Sequence, residues 1–509
     1  MKLYEALKPE KSLQIWSDFC KQKKNHSKIH ELKIIIVSYK NVVMSDILIE
    51  NYSDNENVYH PIILIKGKIT NPVQTCSEIS SYISSNAQQK FSLSKKGKFK
   101  ILHELKSGEN KIKFSYNQKL LTELTLNYID LSNENVRKVQ PLYLLCSDTE
   151  IEVDELHLNC SKILLGCKLA QSLYAEKLFE GTENRKTFIV THDCKPFKLQ
   201  LTETQAHQLS DQSLWELVAR NLIKSEIWDC NVKYIAFTAF TKYLGFGDKS
   251  PIEYTYAQIR ARTLSNPALS TGGLALLGTG CLYTWPTDIT QVISHFLDKT
   301  RIDIATQLDD SNYRCTYGGC YSTTIGSVCH ELGHIFDLGH TKDGIMGKDI
   351  DYIGRVFVTD LYTENLPDRI VGIKASIQPE KVKSYHHTFT KIRQPGQYLI
   401  KYHEQKDDDL TFFAQNHLIT LAFHKWFNFD NKSTCQAQTL KFDRELSTIY
   451  SKYQLVLVEI RKCTDGMLIE FWQFTEDDVF EFKFPDNCET NDAVLFVMDI
   501  EGNILKQNF

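Results

Sequence analysis

The stretch "HELGHIFDLGH" runs from His330 to His340 and holds three histidines and one glutamate. With the residues before it, "TTIGSVCHELGHIFDL", it reads as a single helix. Residues four apart share a helical face, so His330 and His334 present two imidazoles to one point. Glu331 lies about 100° around the helix from His330, within reach of a water on an ion held there. Two nitrogen ligands, one carboxylate base and an open ligand position make a zinc-hydrolase arrangement. Two residues compete to be the third ligand. On an unbroken helix Asp337 would sit about 10.5 Å along the axis from His330, too far from an ion between the histidines. His340 would lie about 9 Å beyond His334 on the same straight helix, but it can swing back if the chain turns after Phe336. Such a turn needs a left-handed residue. Asp337 tolerates that conformation at a cost of about 1 kcal/mol, its carboxylate bonded to a local backbone amide. With such a turn His340 can be the third ligand, and Asp337 can be the turn residue.

The rest of the chain is that of an ordinary globular protein. It has 509 residues, 42% hydrophobic and 24% charged, which suits two or three domains. A net charge of −4 offers no basic field for nucleic acid or an anionic membrane. The opening "MKLYEALKPEKSLQIWSDFC" lacks the apolar core of a signal peptide, and "GGLALLGTGCLYTWP" is too short and too broken to span a bilayer. A cytoplasmic location is expected. The 14 cysteines have no framework spacing and are expected to be reduced.

Texture divides the chain into three. Residues 1–140 are expected to form a β-rich domain, an antiparallel sandwich, with "KSGENK" (Lys106 to Lys111) as a hairpin turn. Residues 141–377 alternate strand and helix and are expected to be α/β; "KILLGCKLAQSLYAEKLF", for instance, has Leu165, Leu169 and Leu173 on one face. Residues 378–509 return to short β runs, among them "GQYLIKYH", "HLITLAFHKWF" and "YQLVLVEIRK", and are expected to form a second sandwich. The expected fold class is α+β multidomain, an α/β zinc-peptidase domain flanked by two antiparallel β domains.

The three histidines with a methionine in a following turn, "DGIMG" at Met346, resemble the metzincin clan of zinc peptidases. More closely, "KLAQSLYAEKLFEGTENRKTFIV", "GGLALLGTGCLYTWP" and "DDSNYRCTYGGCYSTTIGSVCHELGHIFDLGHTKDGIMGKDID" resemble the eukaryotic uncharacterised putative zinc metallopeptidase family. The resemblance covers about residues 33–375. It implies one zinc per chain on His330, His334 and His340, with Glu331 as general base and Met346 as the hydrophobic floor beneath the metal. It also implies that "GGLALLGTG", with Gly272, Gly273, Gly278 and Gly280, is the edge strand along which an extended peptide pairs. The chain departs from the clan in having Asp337 for glycine and no tyrosine two residues after Met346.

Weaker candidates surround this centre. Tyr321 and Tyr352 could assist an oxyanion by residue type alone. Cys315 and Cys320 have no second cysteine pair at metal spacing and are expected to be buried thiols. Asp309 and Asp310 are expected to cap a helix rather than bind calcium. The expected activity is hydrolysis of peptide or protein substrates, with no nucleic-acid or membrane partner. The rival is a zinc-stabilised, non-catalytic protein whose β domains bind a protein or carbohydrate partner. The intact Glu331 favours the enzyme, since a structural metal site needs no base.

Overall fold

The computed structural model describes residues 47–359 and 409–509, apart from residues 73–75, 84–87, 118, 248–253, 313, 410, 430–438, 475–477, 486–487 and 489–490. The expected strand "GQYLIKYH" lies outside the described residues. Contacts divide the chain into Met1–Leu48, of which residues 47 and 48 are described, and Ile49–Phe509.

The sheet that positions the histidine helix is built from β1 (Lys138–Leu145), β2 (Ile189–Val190), β3 (Lys195–Lys198), β4 (Val232–Thr238), β5 (Ala268–Thr271) and β6 (Leu274–Gly278). Its order is β2-β1-β4-β6-β5, with β3 also paired to β1. The pairs β1–β4 and β4–β6 are parallel, and β5 runs antiparallel to β6. β4, "VKYIAFT", is apolar at nearly every position because both its faces are covered. On one face Ile235, Phe237, Ala275 and Leu277 pack with α1 (Val153–Thr182) and α3 (Tyr317–Ile335). On the other, Tyr234, Ala236, Leu274 and Leu276 pack with Leu214, Val218 and Leu222 of α2 (Asp211–Ile223).

Strand pairing corrects one expectation. "GGLALLGTG" is not an edge. Its strand, β6, is paired on both sides, and the outer position belongs to β5. Gly272, at φ +60°, and Gly273 make the turn from β5 into β6. Gly278 is small because Asn266 crosses it: a Cβ there would lie 1.8 Å from Asn266 Oδ1. These glycines serve packing and the turn, which a Gly-framed apolar run cannot distinguish from an exposed edge.

The N-terminal strands form two layers. Ile62–Ile69 pairs antiparallel with Lys98–Glu104. A five-stranded sheet runs Glu56–Val58, Lys119–Tyr128, Gly108–Tyr116, Glu78–Ile83, Gln89–Ser92, with Glu56–Val58 parallel to its neighbour. Lys106–Lys111 is a turn but not a hairpin. It leaves a strand of one sheet and enters the other, held by Asn110, whose side chain bonds Lys106 N–H at 2.9 Å and Lys106 O at 2.7 Å.

After residue 409, "HLITLAF" is a helix, α4 (Gln415–Phe423), rather than a strand. A short apolar run suits either a buried strand or a buried helix, and burial here is against α1 and a sheet. That sheet comprises β7 (Leu455–Lys462), β8 (Leu468–Gln473), β9 (Ala493–Asp499) and β10 (Ile504–Asn508), in the antiparallel order β8-β7-β9-β10. A three-stranded sheet shares a core with its far face through Leu440 and Ile449. Phe413, Leu418, Leu421 and Phe427 join the same core as α1 and α3, so this region is continuous with the α/β layer. Among the described residues no helix is long and apolar enough to cross a membrane.

Candidate metal centre

α3 begins at Thr316, whose hydroxyl accepts the Gly319 N–H at 3.1 Å. Two of its glycines are fixed by close approach. A Cβ on Gly326 would lie 2.0 Å from the Ile350 carbonyl oxygen, and one on Gly333 would lie 2.2 Å from Met346 Sδ. The fully buried Met346 thus lies against the helix one residue before His334.

The helix ends in a Schellman turn. Leu338 N–H reaches Gly333 O at 3.0 Å, Asp337 N–H reaches His334 O at 3.0 Å, and Asp337 has φ +69°. Asp337 is therefore the left-handed residue that reverses the chain. Its carboxylate, however, is not spent on a local amide. It accepts from His424 Nε2 at 3.2 Å and pairs with Lys506 Nζ. Burial alone would raise its pKa. The His424 bond and the charges of Lys506 and Lys233 outweigh burial and hold it below the usual carboxylate range.

Past that turn His340 comes back to the helix. His330 Nε2 and His340 Nε2 are 3.2 Å apart, and His334 Nε2 is 3.1 Å from each. The other nitrogens are all spoken for. His330 Nδ1 donates to Ile345 O at 2.8 Å, His334 Nδ1 to Leu338 O at 3.0 Å, and His340 Nδ1 to Asp465 O. In its neutral form each ring then turns a lone pair inward from Nε2. Burial lowers the His330 pKa to about 4 and the His334 pKa to about 3, so those rings are neutral. Three inward lone pairs repel one another unless a cation lies among them. The three nitrogens lie about 1.8 Å from their common centre, so an ion bonded at about 2.0–2.1 Å fits the triad. Among the described residues this is the one group of histidine, cysteine, aspartate or glutamate side chains close enough to hold a metal.

Glu331 is buried beside the triad, and Ser270 of β5 donates to its Oε2 at 2.5 Å. Burial raises the Glu331 pKa to about 7, against the lowering effect of the Ser270 bond. His330 and Glu331 both open onto a cavity of about 360 Å³, whose other walls include Tyr254, Tyr256, Asp310 and Asp351. Tyr321 and Tyr352 do not line it. Tyr321 is buried against Phe296, with ring centroids 4.3 Å apart, and Tyr352 lies under Arg355. Asp309, which accepts Ser311 N–H at 2.9 Å, and Asp310 both line the cavity, and the helix that follows them is capped by Thr316 instead. Cys315 is half-buried, its sulfur 3.3 Å from the Tyr254 hydroxyl, and Cys320 is buried; both lie outside the histidine group. Ser270, Tyr254 and Asp465 carry no motif and were not legible in the sequence; only the fold brings them here.

A family model described as "Putative peptidase family" matches residues 46–396. The chain belongs to this family. Two curated relatives are "Putative zinc metalloproteinase YIL108W" of Saccharomyces cerevisiae and "Putative zinc metalloproteinase C607.06c" of Schizosaccharomyces pombe. The first is 24% identical over 366 residues, 62% of this chain and 49% of the relative. The second is 23% identical over 347 residues, 62% of this chain and 54% of the relative. The chain thus spans about half the length of the curated relatives it matches. Among solved structures, an endo-beta-1,4-mannanase from Thermotoga petrophila matches 18% of this chain and 21% of its own at 7% identity, with a TM-score of 0.15, which carries no inference about fold.

Proposed function

We propose that this protein is a zinc-dependent metallopeptidase of metzincin type, with one zinc on His330, His334 and His340 and Glu331 as the general base. The observation that carries this is the convergence of three Nε2 atoms beside a buried carboxylate that shares a cavity with one of them. When bound, zinc would supply Lewis acidity, lowering the pKa of water towards about 7 and polarising a peptide carbonyl. Glu331 takes the proton of the attacking water and later returns it to the leaving amine. Its raised pKa suits a group that must gain and lose a proton near neutrality. Ser270 fixes which carboxylate oxygen is free to do so. The outer side of β5, unpaired among the described residues, offers main-chain groups to an extended peptide. The cavity beside His330 accommodates a substrate side chain. Met346 supports the helix from beneath.

In the non-catalytic alternative, zinc would only brace the fold. Structural zinc sites are closed by four protein ligands, whereas this group has three. The deciding experiment is metal analysis of the purified protein, paired with cleavage of a proteome-derived peptide library by wild type and Glu331→Gln. Zinc near one per chain, with cleavage only by wild type, is expected. Zinc with no cleavage by either would establish the non-catalytic role.

A further inference from the structure

His330 and His334 are held by α3 itself. His340 is held by something else. Its backbone N–H donates to Gly466 O at 3.0 Å, and its carbonyl accepts Leu468 N–H at 3.0 Å. His340 and Met467 form a parallel bridge, and His340 Nδ1 donates to Asp465 O. These groups belong to the turn between β7 and β8 and to Leu468, the first residue of β8. The residues leading to His340 are fixed from the same side. Arg461 Nη1 donates to Asp337 O at 2.9 Å. A Cβ on Gly339 would lie 2.8 Å from Gly466 O and 2.9 Å from Arg461 Nε, so the two backbones touch with no room between them. Lys506 and His424 hold the Asp337 carboxylate.

The turn is itself a defined shape. Asp465 Oδ1 accepts Met467 N–H at 2.9 Å. Gly466, at φ +69°, donates its N–H to Lys462 O at 3.0 Å, and Lys462 N–H reaches Met467 O at 2.9 Å. Behind it, Arg461 Nε bonds Glu459 Oε2 at 2.6 Å, and Asn416 of α4 bonds Glu459 Oε1 at 2.8 Å. The Asp465 side chain is exposed, and the carbonyl of the same residue is the one that His340 Nδ1 bonds.

Resting on the zinc reading of the site, we infer that the β7–β8 turn positions the third metal ligand, with Asp465 as its positioning residue. The affinity of the centre is then set by a segment that lies beyond residues 46–396, the span of the family match. An imidazole whose Nδ1–H has a fixed acceptor presents Nε2 in one tautomer and one direction. Without it, His340 must be ordered by the metal at the moment of binding, and loss of such a partner costs about 10–100-fold in metal affinity.

The test uses the full chain and zinc alone, without substrate. Zinc affinity is measured by competition with a chromophoric chelator for wild type, Asp465→Ala, Asp465→Asn and Gly339→Ala. The His340 tautomer in metal-free protein is read from nitrogen shifts of labelled histidine. Asp465→Ala should weaken zinc about 10–100-fold and release the fixed Nδ1–H tautomer. Asp465→Asn, which keeps the acceptor for Met467 N–H, should bind as wild type does. Gly339→Ala, which pushes the turn away, should weaken zinc as well. Wild-type affinity in both Asp465→Ala and Gly339→Ala would overturn the inference while leaving the zinc reading intact. A wild-type chain that binds no zinc would overturn the zinc reading, and the inference with it.

Discussion

Asp337 occupies a position where glycine has the least backbone strain, and it is retained by side-chain bonds that glycine lacks. Substituting glycine would relieve about 1 kcal/mol of left-handed strain and forfeit the bonds to His424 and Lys506. Because the Asp337 carboxylate lies outside the histidine group, Asp337→Gly is expected to keep one zinc, whereas His340→Ala is expected to lose most of it; elemental analysis of the two proteins decides. A chain that loses zinc only with Asp337 would make the aspartate the ligand. Glu331 is subject to a different balance. A base must be ionised, so kcat/KM should fall as pH drops through about 7, where burial has placed this carboxyl. Ser270 donates to the carboxylate and so favours the ionised form. Ser270→Ala should therefore move the acid limb of the pH profile to higher pH; an unmoved limb would mean that another group sets it. Glu331→Gln should keep zinc and lose at least about 10²-fold in hydrolysis, measured on any peptide that wild type cleaves.

At the scale of elements, α3 works because small residues let other segments come against it. The Ile350 carbonyl closes on Gly326, and backbone cannot rotate out of the way as a side chain can. Gly326→Ala should destabilise the protein by about 1–3 kcal/mol, seen as a lowered urea midpoint, while Ser327→Ala on the cavity side should cost much less. Equal midpoints would show that the Ile350 segment yields freely. Helical period made His330, Glu331 and His334 legible in advance, because a spacing of four residues has one geometric meaning on a helix. It made the left-handed turn legible too, once His340 was required to return. The role of β6 was misjudged for the opposite reason. A Gly-framed apolar strand reads the same whether it is interior or edge, and pairing with β5 is a long-range fact.

Across the whole molecule, buried charge ties distant segments together. Lys177 of α1 is fully buried, 2.6 Å from Asp409, which is itself 2% exposed, and 3.1 Å from Glu180. Lys177→Met would strand the Asp409 carboxylate in the core and should cost about 3–5 kcal/mol. The double variant Lys177→Met/Asp409→Leu removes both charges and should recover most of that loss, measured as unfolding midpoints of the single and double variants. No recovery would show that the pair does not act as a unit. The same integration appears at the histidine group. Phe413 and Leu418 enter the core of α1 and α3, and the β7–β8 turn reaches His340.

The sequence by itself determined the three histidines, the glutamate between them, the alternation of strands and helices around them, and the need for a reversal at Asp337. All of these follow from local period and from what single residue types tolerate, which are properties of consecutive residues. Only the tertiary structure decided which strand is the edge, which serine holds Glu331, and which carbonyl orients His340. Ser270 lies 61 residues from Glu331 and Asp465 lies 125 residues from His340, and each contributes one hydrogen bond whose existence depends on the packing of whole sheets. No local pattern records such a contact, because the donor and acceptor types involved occur throughout the chain and only the fold brings the right ones together.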